Sequence, residues 1–139
     1  MAEPTPPIPV LDCHNDLPFA LREKAGYSVE RLDREREEFH TDLVRLREGG
    51  VGAQFWSAWV PSSIPQEDAV VATLQQIDAI HRLEAAYPDA LHAARTSGDI
   101  ESALAAGSIA SLIGLEGGQS IANSLAVLRQ MFHLGARYM

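Results

Sequence analysis

Apolar positions along the chain fall into two kinds of run. Ile8 to Cys13, Val51 to Val60 and Ile109 to Leu115 are short and mostly apolar, with a briefer run at Leu91 to Ala94. Runs of this kind suit strands of a parallel sheet, the first of them buried on both faces. Between them the apolar residues space out. Val70, Val71, Leu74, Ile77, Ile80, Leu83 and Tyr87 recur at three- and four-residue steps, which predicts a long amphipathic helix with Pro65 in its first turn and Pro88 at its end.

Shorter helices are predicted from their caps. Leu17 to Lys24 makes one or two turns ended by Gly26, and Thr41 caps Asp42 to Glu48 before Gly49-Gly50. Thr96 or Ser97 caps a helix through Ile100 and Leu104 that stops at Gly107. Asn123 or Ser124 caps another carrying Leu125, Leu128, Met131 and Phe132, with Gly135 as its stop, and Ala136 to Met139 begins a further extended segment. Ser28 to Glu38, dense in Arg, Asp and Glu, reads as a solvated loop or surface helix.

Strands alternating with helices across short loops define an α/β class with parallel strands. Three or four such units amount to the N-terminal half of a (β/α)8 TIM-type barrel, which typically needs about 250 residues. Residues 1–139 are therefore expected to form the N-terminal part of one barrel domain, with exposed sheet edges and a bare inner face.

Composition narrows the partners. The chain is 46% apolar and 22% charged, with no run long enough to span a membrane. A formal charge of −8 disfavours nucleic acid and anionic membranes. The single cysteine, Cys13, cannot form an internal disulfide. Met1 to Pro9 holds an acid and four prolines but no basic or apolar leader, so a cytoplasmic location is the expectation.

The candidate chemistry lies at strand exits, where a (β/α) barrel keeps its active site. His14 and Asp16 end the first run one residue apart, so their side chains share a direction. Imidazole and carboxylate suit zinc or a related divalent ion. On spacing alone, such a pair is more often a cap and a surface contact than a ligand pair. Glu116 follows the apolar run Ser111 to Leu115 and precedes Gly117-Gly118. A carboxylate there must be paired, protonated or metal-bound unless it is merely a loop residue. His40, His81, His92 and His133 have no ligand spacing with one another, and alternation turns Cys13 away from His14 into a buried apolar role. Alternation also sets Phe55, Ser57 and Trp59 on one side of their strand, and Gln54, Trp56 and Ala58 on the other. Both tryptophans read as core.

Five stretches together resemble the membrane (renal) dipeptidase family, zinc enzymes on a metal-dependent-hydrolase barrel. They are Asp12-Cys-His-Asn-Asp-Leu-Pro18, Gly49-Gly-Val-Gly-Ala-Gln-Phe-Trp-Ser57, Ala110-Ser-Leu-Ile-Gly-Leu-Glu-Gly-Gly118, Ser124-Leu-Ala-Val-Leu-Arg129 and Leu134-Gly-Ala-Arg-Tyr138. The resemblance implies that His14 and Asp16 hold one zinc and that Glu116 bridges it to a second. It further implies hydrolysis of dipeptides by a metal-bound hydroxide, and a possible homodimer when complete. Alternatives are a non-catalytic metal-binding or interaction fragment, and a related barrel amidohydrolase acting on another amide or a lactam.

The chain departs from the family pattern in four respects. Cys13 stands where glycine is usual, Gln119 where histidine is common, and Phe19 where tryptophan is common. The resemblance also implies two further metal-binding histidines, a substrate-contacting histidine and a late acid that these 139 residues do not contain. The chain alone is accordingly expected to bind zinc poorly and to be inactive.

Overall fold

A computed structural model describes residues 8–139; the first seven residues, on which the expectation of no leader mainly rests, lie outside them. Five parallel strands form one sheet: β1 (Val10–Asn15), β2 (Val51–Trp59), β3 (Leu91–Ala93), β4 (Ile109–Glu116) and β5 (Ala136–Tyr138). The spatial order is β1-β2-β4-β3, with β5 also pairing β4, beyond β3 on the same edge. Among the described residues five helices connect them, α1 (Leu17–Ala25) and α2 (Leu43–Glu48) between β1 and β2, then α3 (Gln66–Ala86), α4 (Ser97–Ala105) and α5 (Leu125–His133) one to each later crossing. This is the α/β, parallel-stranded half-barrel expected from the alternation of runs.

The two faces of the sheet are covered differently. Trp56, Ala58, Ile113 and Leu115 pack in one cluster with Leu17 and Leu21 of α1, Leu43 and Leu46 of α2, Ile77, Ile80 and Leu83 of α3, and Met131 of α5. The Trp56 indole donates to Ser111 Oγ at 2.8 Å, and that hydroxyl donates to Glu84 Oε1 on α3 at 2.7 Å. Burial comes first among the influences that push the Glu84 carboxyl above its ordinary value; the Ser111 hydrogen bond and the charges of His81 and Arg95 oppose it.

The opposite face is not bare, contrary to expectation. Ile100 and Ala103 of α4 pack on Ala53, Phe55, Ala110 and Leu112 at its N-terminal end. Further along, the Tyr138 ring lies over Gly114, where an added Cβ would fall 2.1 Å from Cζ, and it meets Phe55 with ring centroids 5.1 Å apart. Only a residue without a side chain admits a ring that close.

Several local expectations are corrected. Asp42, not Thr41, caps α2: it is fully buried and accepts from the Arg45 N–H at 2.9 Å. Thr41 instead accepts from Asn15 Nδ2 at 3.0 Å. Asp42 also accepts from the Arg36 N–H and from Arg45 Nε, at 3.0 and 2.8 Å. Burial works against its ionisation, yet these donors and the Arg45 charge outweigh it and hold the carboxyl below its ordinary value.

Val71 and Leu74 of α3 are exposed, whereas Ala69, Ala72, Thr73 and Gln76 are buried. The buried stripe includes small side chains, and Ala69 and Ala72 pack on Val60 and Ile64 just past the end of β2. Its two polar members donate to carbonyls, Thr73 Oγ1 to Ala69 and Gln76 Nε2 to Trp59, while Gln76 Oε1 has no protein partner. The charged segment 28–38 is a loop, as one of its two expectations had it, but Leu32 within it is fully buried and its N–H donates to the Tyr87 phenol at 3.0 Å. Thr96, with Asp99 in a reciprocal capping box, and Ser124 are the caps of α4 and α5. A 3-10 turn over Gly118–Ile121, not expected from the sequence, follows β4.

β1 departs furthest from expectation. It is an edge strand with Val10 and Leu11 about half exposed, not one buried on both faces. Cys13 is exposed as well. Asp12 pairs with Gln54 and Asn15 with Trp56, so β1 uses three steps where β2 uses two. This bulge breaks the two-residue alternation that would have buried Cys13.

Candidate metal centre

The same bulge presents the histidine. The His14 N–H, withdrawn from the ladder, donates to Asp12 Oδ1 at 3.1 Å. Asn15 closes the bulge: its Nδ2 donates to Thr41 Oγ1 and, at 3.3 Å, to Gln54 Oε1, while its Oδ1 accepts from the Leu17 N–H at 3.0 Å. Gln54 is fully buried and donates to the Asp12 and Phe55 carbonyls. One side chain thus ties β1 to β2 and starts α1. Pro18 in the first turn of α1 needs no hydrogen bond there, and Asp16 precedes that turn.

Glu116 arrives from β4, whose residues Ile109 to Leu115 are all buried. Gly117 follows with φ +92°, a conformation that side chains resist and that turns the chain at the strand exit. Gln119 holds this turn by donating to the Val60 carbonyl at 2.7 Å.

These elements bring together all three residues expected from the sequence. His14 Nε2 lies 3.4 Å from Asp16 Oδ1 and 3.1 Å from Glu116 Oε2. A set of ligand atoms from His14, Asp16 and Glu116 lies within 4.8 Å of one another. Donors around a tetrahedral zinc, with bonds of about 2.0–2.1 Å, stand about 3.3 Å apart. One imidazole and two carboxylates at this spacing fit a divalent cation. All three side chains are open to solvent, exposed by 49%, 60% and 41% for His14, Asp16 and Glu116. His14 and Asp16 also line a groove of about 430 Å³ with Phe19, Glu23, Lys24 and His40.

Two neighbours complete the setting. The fully buried Ser57 donates to Glu116 Oε2 at 2.8 Å. The Tyr138 phenol donates to the Cys13 carbonyl at 2.9 Å. Burial is the main cause that raises the Tyr138 pKa, and the nearby charge of Glu116 adds to it. Neither role had been read from the sequence. Alternation already put Ser57 on the face with Phe55 and Trp59, but its partner on another strand had no local signal. The remaining histidines lie outside the cluster, and His81 Nε2 is 3.0 Å from the Leu134 carbonyl as a packing residue.

Residues 5–139 match the family described as Membrane dipeptidase (Peptidase family M19). The chain belongs to the membrane dipeptidase family. Among its relatives, Dipeptidase verJ of Clonostachys rogersoniana is 43% identical over 142 residues, covering 94% of this chain and 37% of the relative. Dipeptidase 3 of Rattus norvegicus is 44% identical over 133 residues, covering 95% of this chain and 26% of the relative. The fold agrees with solved M19 peptidases. A metallopeptidase from Rhodobacter sphaeroides, liganded with a phosphinate mimic of the dipeptide L-Ala-D-Ala, superposes with a TM-score of 0.80 at 25% identity, covering 94% of this chain and 44% of that one. Dipeptidase AC, a metallopeptidase of family M19, gives 0.79 at 27% identity, covering 94% and 41%. The chain thus spans 26–44% of the length of these relatives and solved structures. Membership of this metallopeptidase family implies use of a metal ion, and among the described residues the cluster at His14, Asp16 and Glu116 is the group with ligand geometry for one.

Proposed function

We propose that these residues form part of the catalytic centre of a zinc-dependent dipeptidase. Convergence of His14, Asp16 and Glu116 at the strand exits of an M19 chain carries the reading. In it, His14 and Asp16 would hold one zinc, and Glu116 would serve that ion and a second. When bound, such ions supply Lewis acidity, polarising a peptide carbonyl and lowering the pKa of water. The chain's own residues supply placement. The Asp12–His14–Asn15 bulge aims the imidazole, and the buried Ser57 and the turn at Gly117 aim the Glu116 carboxylate. A dipeptide substrate is supported by the relatives' names and by the phosphinate dipeptide mimic held by the Rhodobacter sphaeroides enzyme.

Three candidate ligands among the described residues are fewer than two catalytic zinc ions take, each ordinarily having about three. The 139-residue chain by itself is therefore expected to take up zinc weakly and to leave dipeptides uncleaved. The test compares L-Ala-D-Ala hydrolysis, with and without chelator, by this chain and by a chimaera that completes it with the C-terminal remainder of an M19 relative. Chelator-sensitive cleavage by the chimaera, lost in Glu116→Gln, is the expected result. Cleavage that survives chelation or Glu116→Gln would falsify the assignment.

A further inference from the structure

Ser57 is 0% exposed, and its hydroxyl donates to Glu116 Oε2, the same oxygen that lies 3.1 Å from His14 Nε2. Pairing of β2 with β4 sets Ser57 opposite Gly114 and Trp59 opposite Glu116. Ser57 therefore sits one same-face step behind the carboxylate, with no side chain on Gly114 to compete for its proton. A serine hydroxyl has a single proton to donate, and this one is committed to Glu116. The other hydroxyl of this face, on Tyr138, is committed to the Cys13 carbonyl.

We propose that Ser57 is a positioning residue for the metal centre: its hydroxyl fixes the Glu116 carboxylate in the orientation that faces His14 and Asp16. The inference rests on the metal-binding reading of these three residues. An ionised carboxylate offers about four lone-pair sites over two oxygens. Ser57 fills one site on Oε2 from below, inside the sheet, and leaves the outward sites for cations. Glu116 is 41% exposed, so little packing restrains its long side chain once that bond is gone. Groups that orient a metal ligand typically contribute about 10–100-fold in metal affinity.

The probe is Co2+, whose visible absorption reports its ligand geometry, titrated with a competing chelator into the full chain and into the same chain within the chimaera, each variant being made in both. Ser57→Ala and Ser57→Gly each remove the donor and should weaken Co2+ binding about 10–100-fold with an altered absorption band. Ser57→Thr keeps a hydroxyl and should bind Co2+ nearly as the parent does. Ser111→Ala removes another buried hydroxyl, one that serves Trp56 and Glu84, and should lower thermal stability without changing Co2+ affinity. If the parent binds Co2+ and both donor-less variants match it, the Ser57 inference fails while the metal reading stands. If neither this chain nor the chimaera takes up Co2+, both fall. A loss equal in Ser57→Ala and Ser111→Ala would reduce the effect to general packing and overturn the inference.

Discussion

The Tyr138 phenol and the Cys13 carbonyl, 125 residues apart in sequence, are joined by a 2.9 Å hydrogen bond across the inner face of the sheet. The bond links β5 to the bulge that carries His14, passing over Gly114. Tyr138→Phe keeps the ring and removes one hydrogen bond, an expected loss of about 1 kcal/mol by denaturant unfolding. Gly114→Ala should be worse, about 1–3 kcal/mol, because the ring must move from a site where Cβ would stand 2.1 Å away. Equal stability of Gly114→Ala and the parent would show that the ring does not rest there.

At the proposed metal centre, the candidate ligands His14, Asp16 and Glu116 and the residues that support them should separate by magnitude. His14→Ala and Glu116→Gln each remove a donor from the cluster of three. Each should weaken divalent-ion binding well beyond the roughly 10–100-fold expected of a supporting residue. Isothermal titration with zinc checks this; affinity unchanged in Glu116→Gln would remove Glu116 from the centre.

Asp42 provides a different kind of prediction. It caps α2, accepts from Arg36 and Arg45, and is fully buried. Arg45 is 36% exposed and can rehydrate, so Asp42→Ala should cost about 2 kcal/mol, less than a wholly buried pair would. The folded-state pKa of Asp42 is depressed. Its contribution is therefore complete above the ordinary carboxylate range and is lost as pH falls through the folded pKa. The acid limb of a stability–pH curve should flatten in Asp42→Ala.

Glu84 carries the opposite sign. Its folded-state pKa is raised, chiefly by burial, so the folded chain binds its proton more tightly than the unfolded chain does. The associated stability is present below the ordinary carboxylate value and is lost as pH rises through the raised one. Glu84→Gln keeps an acceptor for Ser111 and has no charge to bury. Its thermal stability should change less across that window and exceed the parent's at neutral pH; a parallel pair of curves would contradict this.

Much of this was legible in order along the chain. The alternation of short apolar runs with three-four spacing gave the α/β class, and Thr96, Ser124 and Gly26 marked helix ends because caps act within a turn. His14, Asp16 and Glu116 could be picked out because a strand exit is a local feature. The errors share a cause. Thr41 and Asp42 are both good caps by type, and only the donors on Arg36 and Arg45 chose between them. Val71 and Leu74 fit the apolar spacing of α3, but the segment after β2, at Val60 and Ile64, covers the smaller face of Ala69 and Ala72.

What the sequence by itself determined was the set of elements, their order and the residue types at each strand end, since propensity, capping and periodicity act over a few neighbours. Tertiary structure decided which side of each element met the core and which distant atoms met each other. The bulge at Cys13 and His14 exists because β1 must match β2 in register while Asp12 and Asn15 satisfy the backbone it frees. The Ser57–Glu116 bond exists because β4 lies beside β2, a pairing of segments more than 50 residues apart that no local pattern encodes.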